Sequence, residues 1–161
     1  MPTWLKTLSL PIRSITAGWA SVLRRDRDTR RSLGQLGEAA AARFLKRKGY
    51  KIVARSRRDR LGELDLIAVD GKSRQDRTIV FVEVKTRRSH DAGHPAEAVH
   101  EDKQRRVTRL ALSFLKRHHL HEYPARFDVV AVTWPDGPGE PTIEHLIGAF
   151  EATGLGDSFY A

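Results

Sequence analysis

The sequence predicts a single α/β domain in which helices cover both faces of a β-sheet. A chain of 161 residues is long enough for one domain with its own core and too short for two of typical size. Two central segments, residues 63–70 and 78–88, carry apolar side chains at both odd and even positions, as strands covered on each face do. Apolar residues at helical spacing precede and follow these strands, and they predict the two covering layers.

The overall composition is that of a folded protein, with 40% hydrophobic and 30% charged residues. The absence of cysteine excludes disulfides, thiolate zinc sites and a cysteine nucleophile. Because such a chain suits a reducing compartment, we expect a cytoplasmic protein. No apolar run approaches the roughly 20 residues that span a bilayer, so no transmembrane segment is expected.

The chain is strongly basic, with 29 lysines and arginines against 20 acidic residues, a formal charge of +9 and a pI of about 10.3. A polyanionic partner such as nucleic acid suits this charge. Solubility alone explains the charge equally well, so net charge leaves both interpretations open.

Residues 1–31 differ from the rest of the chain and are predicted to form a basic, amphipathic extension. Apolar residues such as Trp4, Ile12 and Trp19 recur there at near-helical spacing among basic and hydroxyl residues. The extension could dock on the domain, lie on a membrane surface, resemble a transit peptide or remain partly disordered. We expect the folded domain to occupy residues 32–147 and residues 148–161 to form a C-terminal tail.

The domain is expected to open with a helix that begins near Ser32 and ends before Gly49, because glycine there supplies the usual C-terminal stop. The apolar face of this helix is predicted from the spacing of Leu33, Leu36, Ala40, Phe44 and Leu45. A first strand over residues 50–55 follows, and then a basic turn over residues 57–60.

The two central segments predict an antiparallel hairpin, because only a short polar stretch joins them. A long helix comes next, and its apolar stripe contains Val107, Leu110 and Phe114. Lys103 and the arginines that follow it are expected to spread outward from this helix. The sequence therefore predicts a basic helix that lies against the sheet.

Two further strands are predicted over residues 127–133 and 143–146, with a Pro/Gly turn between them. Asp128 is an acid inside the first of these apolar strands. We expect a structural role for Asp128, paired with Arg126 or with an arginine of a helix.

Two acids stand inside the central strands, where an ionised carboxylate is expensive to desolvate unless a cation or hydrogen bonds compensate it. Asp65 lies between Leu64 and Leu66, and Glu83 lies between two valines. Across neighbouring strands of the hairpin the two carboxylates can lie about 5 Å apart, a separation that one divalent ion can bridge. All-oxygen ligands favour Mg²⁺ or Mn²⁺. Taken one residue at a time, these acids favour instead a cross-strand ion pair of Lys85 with Glu83 or Asp65 on a solvated sheet face.

Several ordered blocks of sequence resemble a known family. GELDLIA at residues 62–68 and FVEVKTR at residues 81–87 resemble the Asp…Glu-x-Lys signature of the restriction-endonuclease-like nuclease superfamily. More narrowly, the chain resembles the YraN-like bacterial family assigned to that fold. The supporting blocks are GQLGEAAAARFLKRKGY at 34–50, HPAEAVHEDKQRR at 94–106 and RFDVVAV at 126–132. The resemblance covers roughly residues 32–147 and is far more specific than the short Glu-Val-Lys core alone.

The resemblance implies a central mixed sheet flanked by helices and a Mg²⁺- or Mn²⁺-dependent endonuclease that hydrolyses phosphodiester bonds in DNA, branched or damaged DNA included. It implies that Asp65 and Glu83 are catalytic metal ligands and that Lys85 is the catalytic lysine. Glu38 matches a first-helix glutamate that joins the metal site in archaeal Holliday-junction resolvases. Glu63 is either a further ligand or an acid beside the ligands.

The superfamily pattern has a proline before the aspartate, whereas Leu64 precedes Asp65 in this chain. Because that proline is frequently absent in the superfamily, the departure leaves the implied metal site intact.

Basic residues flank the acidic site in the predicted topology and are candidates for contacts to DNA phosphates. They are Arg57, Arg58, Arg60, Arg87, Arg88, Lys103, Arg105 and Arg106. A solvated basic face is the alternative interpretation of each. A catalytically silent nucleic-acid-binding or scaffold protein, RNA as the substrate, and a homodimer that cuts two strands all stay open.

Overall fold

The structure is a computed structural model that describes residues 32–59, 62–73, 75–88 and 100–153. The predicted extension at residues 1–31, the predicted phosphate contact Arg60 and the end of the predicted tail lie outside the described residues, and for Arg57 the backbone alone is described. The described elements are α1 (Leu33–Arg47), β1 (Lys51–Asp59), β2 (Gly62–Asp70), β3 (Thr78–Arg88), α2 (Glu101–Arg117), β4 (Ala125–Trp134) and β5 (Thr142–Phe150).

The five strands form one mixed sheet in the order β1-β2-β3-β4-β5. β3 and β4 run parallel, and the other neighbouring pairs are antiparallel, including the predicted β2–β3 hairpin. A parallel pair needs a long crossover connection, and α2 lies in the segment that joins β3 to β4. The prediction of an α/β domain with a central mixed sheet is confirmed.

Helix α1 begins where the sequence predicts, at a capping box. The Ser32 hydroxyl oxygen accepts from the Gln35 N–H at 3.3 Å, and the Gln35 side-chain oxygen accepts from the Ser32 N–H at 3.0 Å. Past the end of the helix, Gly49 adopts a φ of +95°, a conformation that side chains disfavour. Leu36, which we expected on the buried face, is 37% exposed because the helix meets the sheet through the adjacent Gly37.

The two helices cover opposite faces of the sheet, as predicted. On one face, alanines of α1 and Leu45 pack against Leu66, Ala68, Val80, Val82, Val130 and Val132. On the other, the Phe114 ring of α2 meets the edge of the Phe81 ring, with centroids 6.0 Å apart. Successive residues of β3 alternate between these layers, which places Phe81 and Val82 on opposite faces. Neither helix in the described ranges is long and apolar enough to cross a bilayer.

The edge strands are longer than the sequence predicts. β1 continues to Asp59, and Arg58 pairs with Glu63 of β2 where a basic turn was expected, because pairing with a neighbouring strand outweighs polar composition. β5 continues to Phe150, past residue 147, where the end of the domain was expected. The Phe150 ring stacks on Phe127 with centroids 4.9 Å apart, so residues of the predicted tail pack against the core.

Asp128 has the structural role that the sequence predicts. Its fully buried carboxylate accepts from Arg126 Nε at 3.0 Å and from the Gly148 N–H at 3.0 Å, and it lies 2.9 Å from His145 Nε2. Burial alone would raise the pKa of Asp128, but the hydrogen bonds from His145 and Arg126 outweigh it and lower that pKa. The Arg126 guanidinium also binds Asp70 at 2.9 Å, so this network ties β2, β4 and β5 together.

Candidate metal centre

The β2–β3 hairpin brings Asp65 and Glu83 onto neighbouring strands, as the sequence predicts. The regular pairing ends at Leu66 and Val82, and the two acids are the next residue on each strand. Beyond that last pair, Asp65 Oδ2 accepts a hydrogen bond from the Val84 N–H at 2.8 Å. A backbone contact of β3 therefore holds the carboxylate of β2 beside Glu83.

Glu83 is the most buried acid of this site, with 4% of its side chain exposed. Its Oε1 atom lies 3.1 Å from Lys85 Nζ, two residues along the same strand. The same oxygen also accepts a hydrogen bond from Lys103 of α2. Lys85 therefore pairs with Glu83, as the residues alone favour, but the pair lies along one strand rather than across two and its carboxylate is buried. Two ammonium groups, of Lys85 and Lys103, contact this one oxygen atom.

The surroundings of the Asp65 carboxyl group favour its protonated, neutral form. Burial and the charges of Glu83 and Glu38 raise the pKa of Asp65 to about 7, and the Val84 N–H and Lys103 offset only part of this rise. For Lys103, burial alone would lower the pKa, but the hydrogen bond and charge of Glu83 outweigh it and raise that pKa. The positive charge that the protein supplies near Asp65 is therefore too small to keep this carboxylate ionised over its usual pH range, and a further cation beside it would be favourable.

The other two predicted ligands, Glu38 and Glu63, have hydrogen-bond partners of their own. Glu38 Oε2 accepts a hydrogen bond from Ser56 Oγ, and its charge still reaches Asp65. Glu63 Oε2 accepts a hydrogen bond from Arg58 Nη2 at 2.7 Å. Within the described ranges no three histidine, aspartate or glutamate side chains converge as a metal-binding group. The roles of Glu38 and Glu63 as ligands stay predictions.

The donor set nevertheless fits one class of metal. Mg²⁺ dehydrates reluctantly, keeps several waters and is usually held by one or two carboxylates together with substrate phosphate groups. Asp65 and Glu83 supply two hard oxygen donors on adjacent strands, which suits Mg²⁺ or Mn²⁺ and does not suit a cage made of protein ligands alone.

The basic residues predicted to contact phosphates are in different situations. Arg105 pairs with Glu101 and Asp102 of its own helix, at 3.2 and 3.5 Å. Arg87 is half-buried, whereas Arg88 and Arg106 are exposed. Arg58 is bound to Glu63, and its guanidinium is largely exposed.

The expectation that Lys103 points outward is wrong. The Lys103 ammonium reaches Glu83, and its side chain is 38% exposed. A signal for this was available in the sequence, because Lys103 precedes the buried Val107 by four residues and so lies on the same helical stripe.

The fold and site define an α/β protein whose mixed sheet carries a carboxylate and lysine cluster where its central hairpin opens. The chain belongs to UPF0102, described as "Uncharacterised protein family UPF0102", whose model matches residues 37–132. This match confirms the resemblance to the YraN-like family. The matched residues include Glu38, Asp65, Glu83, Lys85 and Lys103.

Similar proteins occur in several bacteria. A UPF0102 protein of Rhodopirellula baltica is 52% identical over 134 residues, which cover 83% of this chain and 78% of that protein. One from Pelobacter propionicus is 46% identical over 78% of this chain and 86% of its own length. One from Rhodococcus opacus is 48% identical over 74% of this chain and 96% of its own length.

Proposed function

We propose that this protein is a Mg²⁺- or Mn²⁺-dependent endonuclease of restriction-endonuclease-like fold that hydrolyses phosphodiester bonds in DNA, branched or damaged DNA included. The observation that carries the proposal is the buried Glu83 carboxylate, 4% exposed, beside Asp65 and 3.1 Å from Lys85 Nζ. Buried acids paired in this way are costly to the fold, and a metal site explains why they stand together.

The residues of the chain have separable roles. Asp65 and Glu83 would hold the ion, and the Val84 N–H fixes the orientation of Asp65 through Oδ2. The Lys85 ammonium, 20% exposed and held by Glu83, would offset negative charge that develops on the phosphate. When bound, the divalent ion would polarise a phosphoryl oxygen and lower the pKa of a water molecule.

The charge of the chain supports a nucleic acid as the substrate. The formal charge is +9, and exposed arginines, among them Arg88 and Arg106, lie on elements that also carry site residues. No base-reading module is recognisable in the sequence, which favours recognition of DNA shape or of the phosphate backbone. RNA is the competing polymer, and a homodimer would let two such sites cut two strands.

A cleavage assay tests the proposal. Purified protein is incubated with duplex, flap, four-way-junction and single-stranded DNA and with RNA, in Mg²⁺, Mn²⁺ or EDTA. We expect cleavage that EDTA abolishes, that Asp65→Asn removes and that Lys85→Met lowers by at least about 100-fold. The matched controls are Asp136→Asn and Lys116→Met, at exposed positions, which retain activity. Cleavage that persists in EDTA, or that the site variants leave unchanged, contradicts the proposal.

A catalytically silent nucleic-acid-binding or scaffold protein is the second candidate. The observation that favours it is the Lys103 ammonium, which takes a position on Glu83 that a metal ion would need. Salt-dependent DNA binding with neither cleavage nor Mn²⁺ uptake in calorimetry would favour this candidate over the enzyme.

A further inference from the structure

Two ammonium groups from different elements bind one oxygen of Glu83. Lys85 reaches Oε1 from the same strand, and Lys103 reaches it from the first turn of α2. Lys85 is 20% exposed and Lys103 is 38% exposed. Either ammonium group alone can neutralise Glu83, so one of them can leave while Glu83 keeps a cation, and the charge of Lys103 also acts on the neighbouring Asp65.

The two lysines differ in their freedom to leave. Lys85 stands on the central strand β3, which is paired on both sides, by β2 and by β4. Lys103 stands near the start of α2, where the N-cap residue His100 makes no side-chain capping hydrogen bond. A lysine ammonium on a long, partly exposed stem can swing into water while its methylene groups stay packed. Lys103 is therefore the ammonium group that can vacate Glu83.

The charge at the site favours such a departure when a divalent ion binds. Asp65 and Glu83 bring two negative charges, and Lys85 and Lys103 bring two positive charges, so the ionised cluster is formally neutral. A divalent ion added to this neutral cluster would face two ammonium groups within a few ångströms in a poorly solvated place, and this repulsion weakens binding. With Lys103 displaced, the cluster and the ion carry one net positive charge, which one phosphate group neutralises.

We propose that Lys103 is a displaceable internal cation, which neutralises Glu83 in the metal-free protein, releases it when Mg²⁺ or Mn²⁺ binds, and then contacts a substrate phosphate. The inference rests on the proposed function, because it takes the ion at Asp65 and Glu83 to be divalent. Its consequence is that Lys103 lowers metal affinity and couples metal binding to phosphate binding.

Calorimetric titration of Mn²⁺ into the DNA-free protein tests the competition directly. Lys103→Met keeps the length of the side chain and removes the charge, and we expect about tenfold tighter Mn²⁺ binding. Lys103→Arg keeps the charge and should bind Mn²⁺ within about threefold of the unmodified protein. Lys116→Met, at an exposed position near the other end of α2, is the matched control and should leave the affinity unchanged.

Thermal unfolding supplies a readout that a purely structural ion pair would not reproduce. In EDTA, Lys103→Met leaves the buried Glu83 with one cation fewer and should lower the Tm. Saturating Mn²⁺ should restore most of this loss, because the metal ion replaces the missing charge. A loss of Tm that is equal in EDTA and in saturating Mn²⁺ would mean that Lys103 serves the fold alone.

A phosphorothioate oligonucleotide, which resists cleavage, tests the coupling. It should tighten Mn²⁺ binding to the unmodified protein, and this gain should shrink in Lys103→Met.

The outcomes separate this inference from the proposed function. If both the unmodified protein and Lys103→Met bind Mn²⁺ with equal affinity, the metal site stands and the role of Lys103 is overturned. If only Lys103→Met binds Mn²⁺, Lys103 in the unmodified protein blocks the metal site completely, and the inference is supported. If neither binds, the metal site itself is wrong, and the inference is overturned together with it.

Discussion

The Asp65 carboxylate is held by the backbone of the neighbouring strand, with 2.8 Å between its Oδ2 atom and the Val84 nitrogen. This hydrogen bond lies just past the last regular pair of the hairpin, so it holds Asp65 beside Glu83. Two acids kept together by the fold repel each other, and the charge of Lys103 offsets this repulsion at Asp65 only in part.

This repulsion predicts that Asp65→Asn stabilises the metal-free protein. The pKa of Asp65 rises from 3.8 to about 7 on folding. Above a pH of about 7 the carboxyl group is ionised in both states, and its charge is less favourable in the folded state than in the unfolded state. The contribution of Asp65 to stability therefore falls as pH rises between about 4 and 7. In EDTA near pH 8 we expect Asp65→Asn to raise the unfolding free energy by roughly 1–3 kcal/mol, and near pH 4 to change it little.

Urea denaturation at the two pH values measures this effect, with the exposed Asp136→Asn as the matched control. An equal change at both pH values would show that Asp65 acts through packing rather than charge.

Metal binding should stabilise the protein more at alkaline than at acidic pH. Below a pH of about 7 a proton competes with the ion for Asp65, whereas above it the carboxylate is available. We expect saturating Mn²⁺ to raise the Tm by several degrees near pH 8 and by much less near pH 5.5, and Asp65→Asn to remove most of the rise. Differential scanning fluorimetry with EDTA as the reference measures it. A rise that is independent of pH would place the ion away from Asp65.

Local patterns in the sequence were sufficient to predict much of this molecule. Ser32 and Gly49 mark the ends of α1 because capping and chain reversal depend on neighbouring residues alone. The hairpin and the closeness of Asp65 to Glu83 follow from strand alternation and a short connection. Asp128 was recognisable as a paired acid because an unpaired one would be too costly in such a strand.

Contacts between distant segments could not be predicted in the same way. The hydrogen bond from Ser56 Oγ to Glu38 depends on the irregular shape of β1. The register of β1 shifts between Ile52 and Ala54, and Ser56 has a φ of +45°. Neither feature has a sequence signature as clear as a glycine turn. The contact of Lys103 with Glu83 depends on how α2 lies across the sheet. Helical periodicity predicts which stripe of α2 faces the sheet, but it does not predict which strand residue each side chain meets.

The close approach of α1 to β3 predicts a large loss of stability for Gly37→Ala. A Cβ atom at Gly37 would lie 1.8 Å from Thr86 Oγ1, so the helix or the strand must shift. We expect a loss of about 2–4 kcal/mol in the free energy of unfolding. Gly34→Ala is the matched control, since its Cβ would meet only Ser32 Oγ at 3.8 Å, and helix propensity there favours alanine by up to about 1 kcal/mol.

A double variant identifies the cause. Thr86→Ala removes the two nearest side-chain branches and should recover part of the loss in Gly37→Ala, while the Thr86 Cβ position, 2.8 Å away, still clashes. No recovery would assign the loss to a different contact. Because Glu38 is the next residue of the helix, the same shift should also reduce its influence on Asp65, and we expect the pH dependence of stability to weaken in Gly37→Ala.

Lys85→Met should separate chemistry from metal binding. The Lys85 ammonium is 3.1 Å from Glu83 Oε1, but Lys103 also binds that oxygen, so Glu83 keeps a cation when Lys85 is removed. The fold and the carboxylate pair should therefore persist, and we expect Mn²⁺ affinity to change by less than about tenfold. Cleavage should fall by about 10²- to 10³-fold, because the lost charge faces the phosphate only as negative charge develops on it. Single-turnover cleavage rates and Mn²⁺ calorimetry on the same preparation measure the two effects. A parallel loss of metal affinity and rate would make Lys85 part of the metal site, and an unchanged rate would remove it from the reaction.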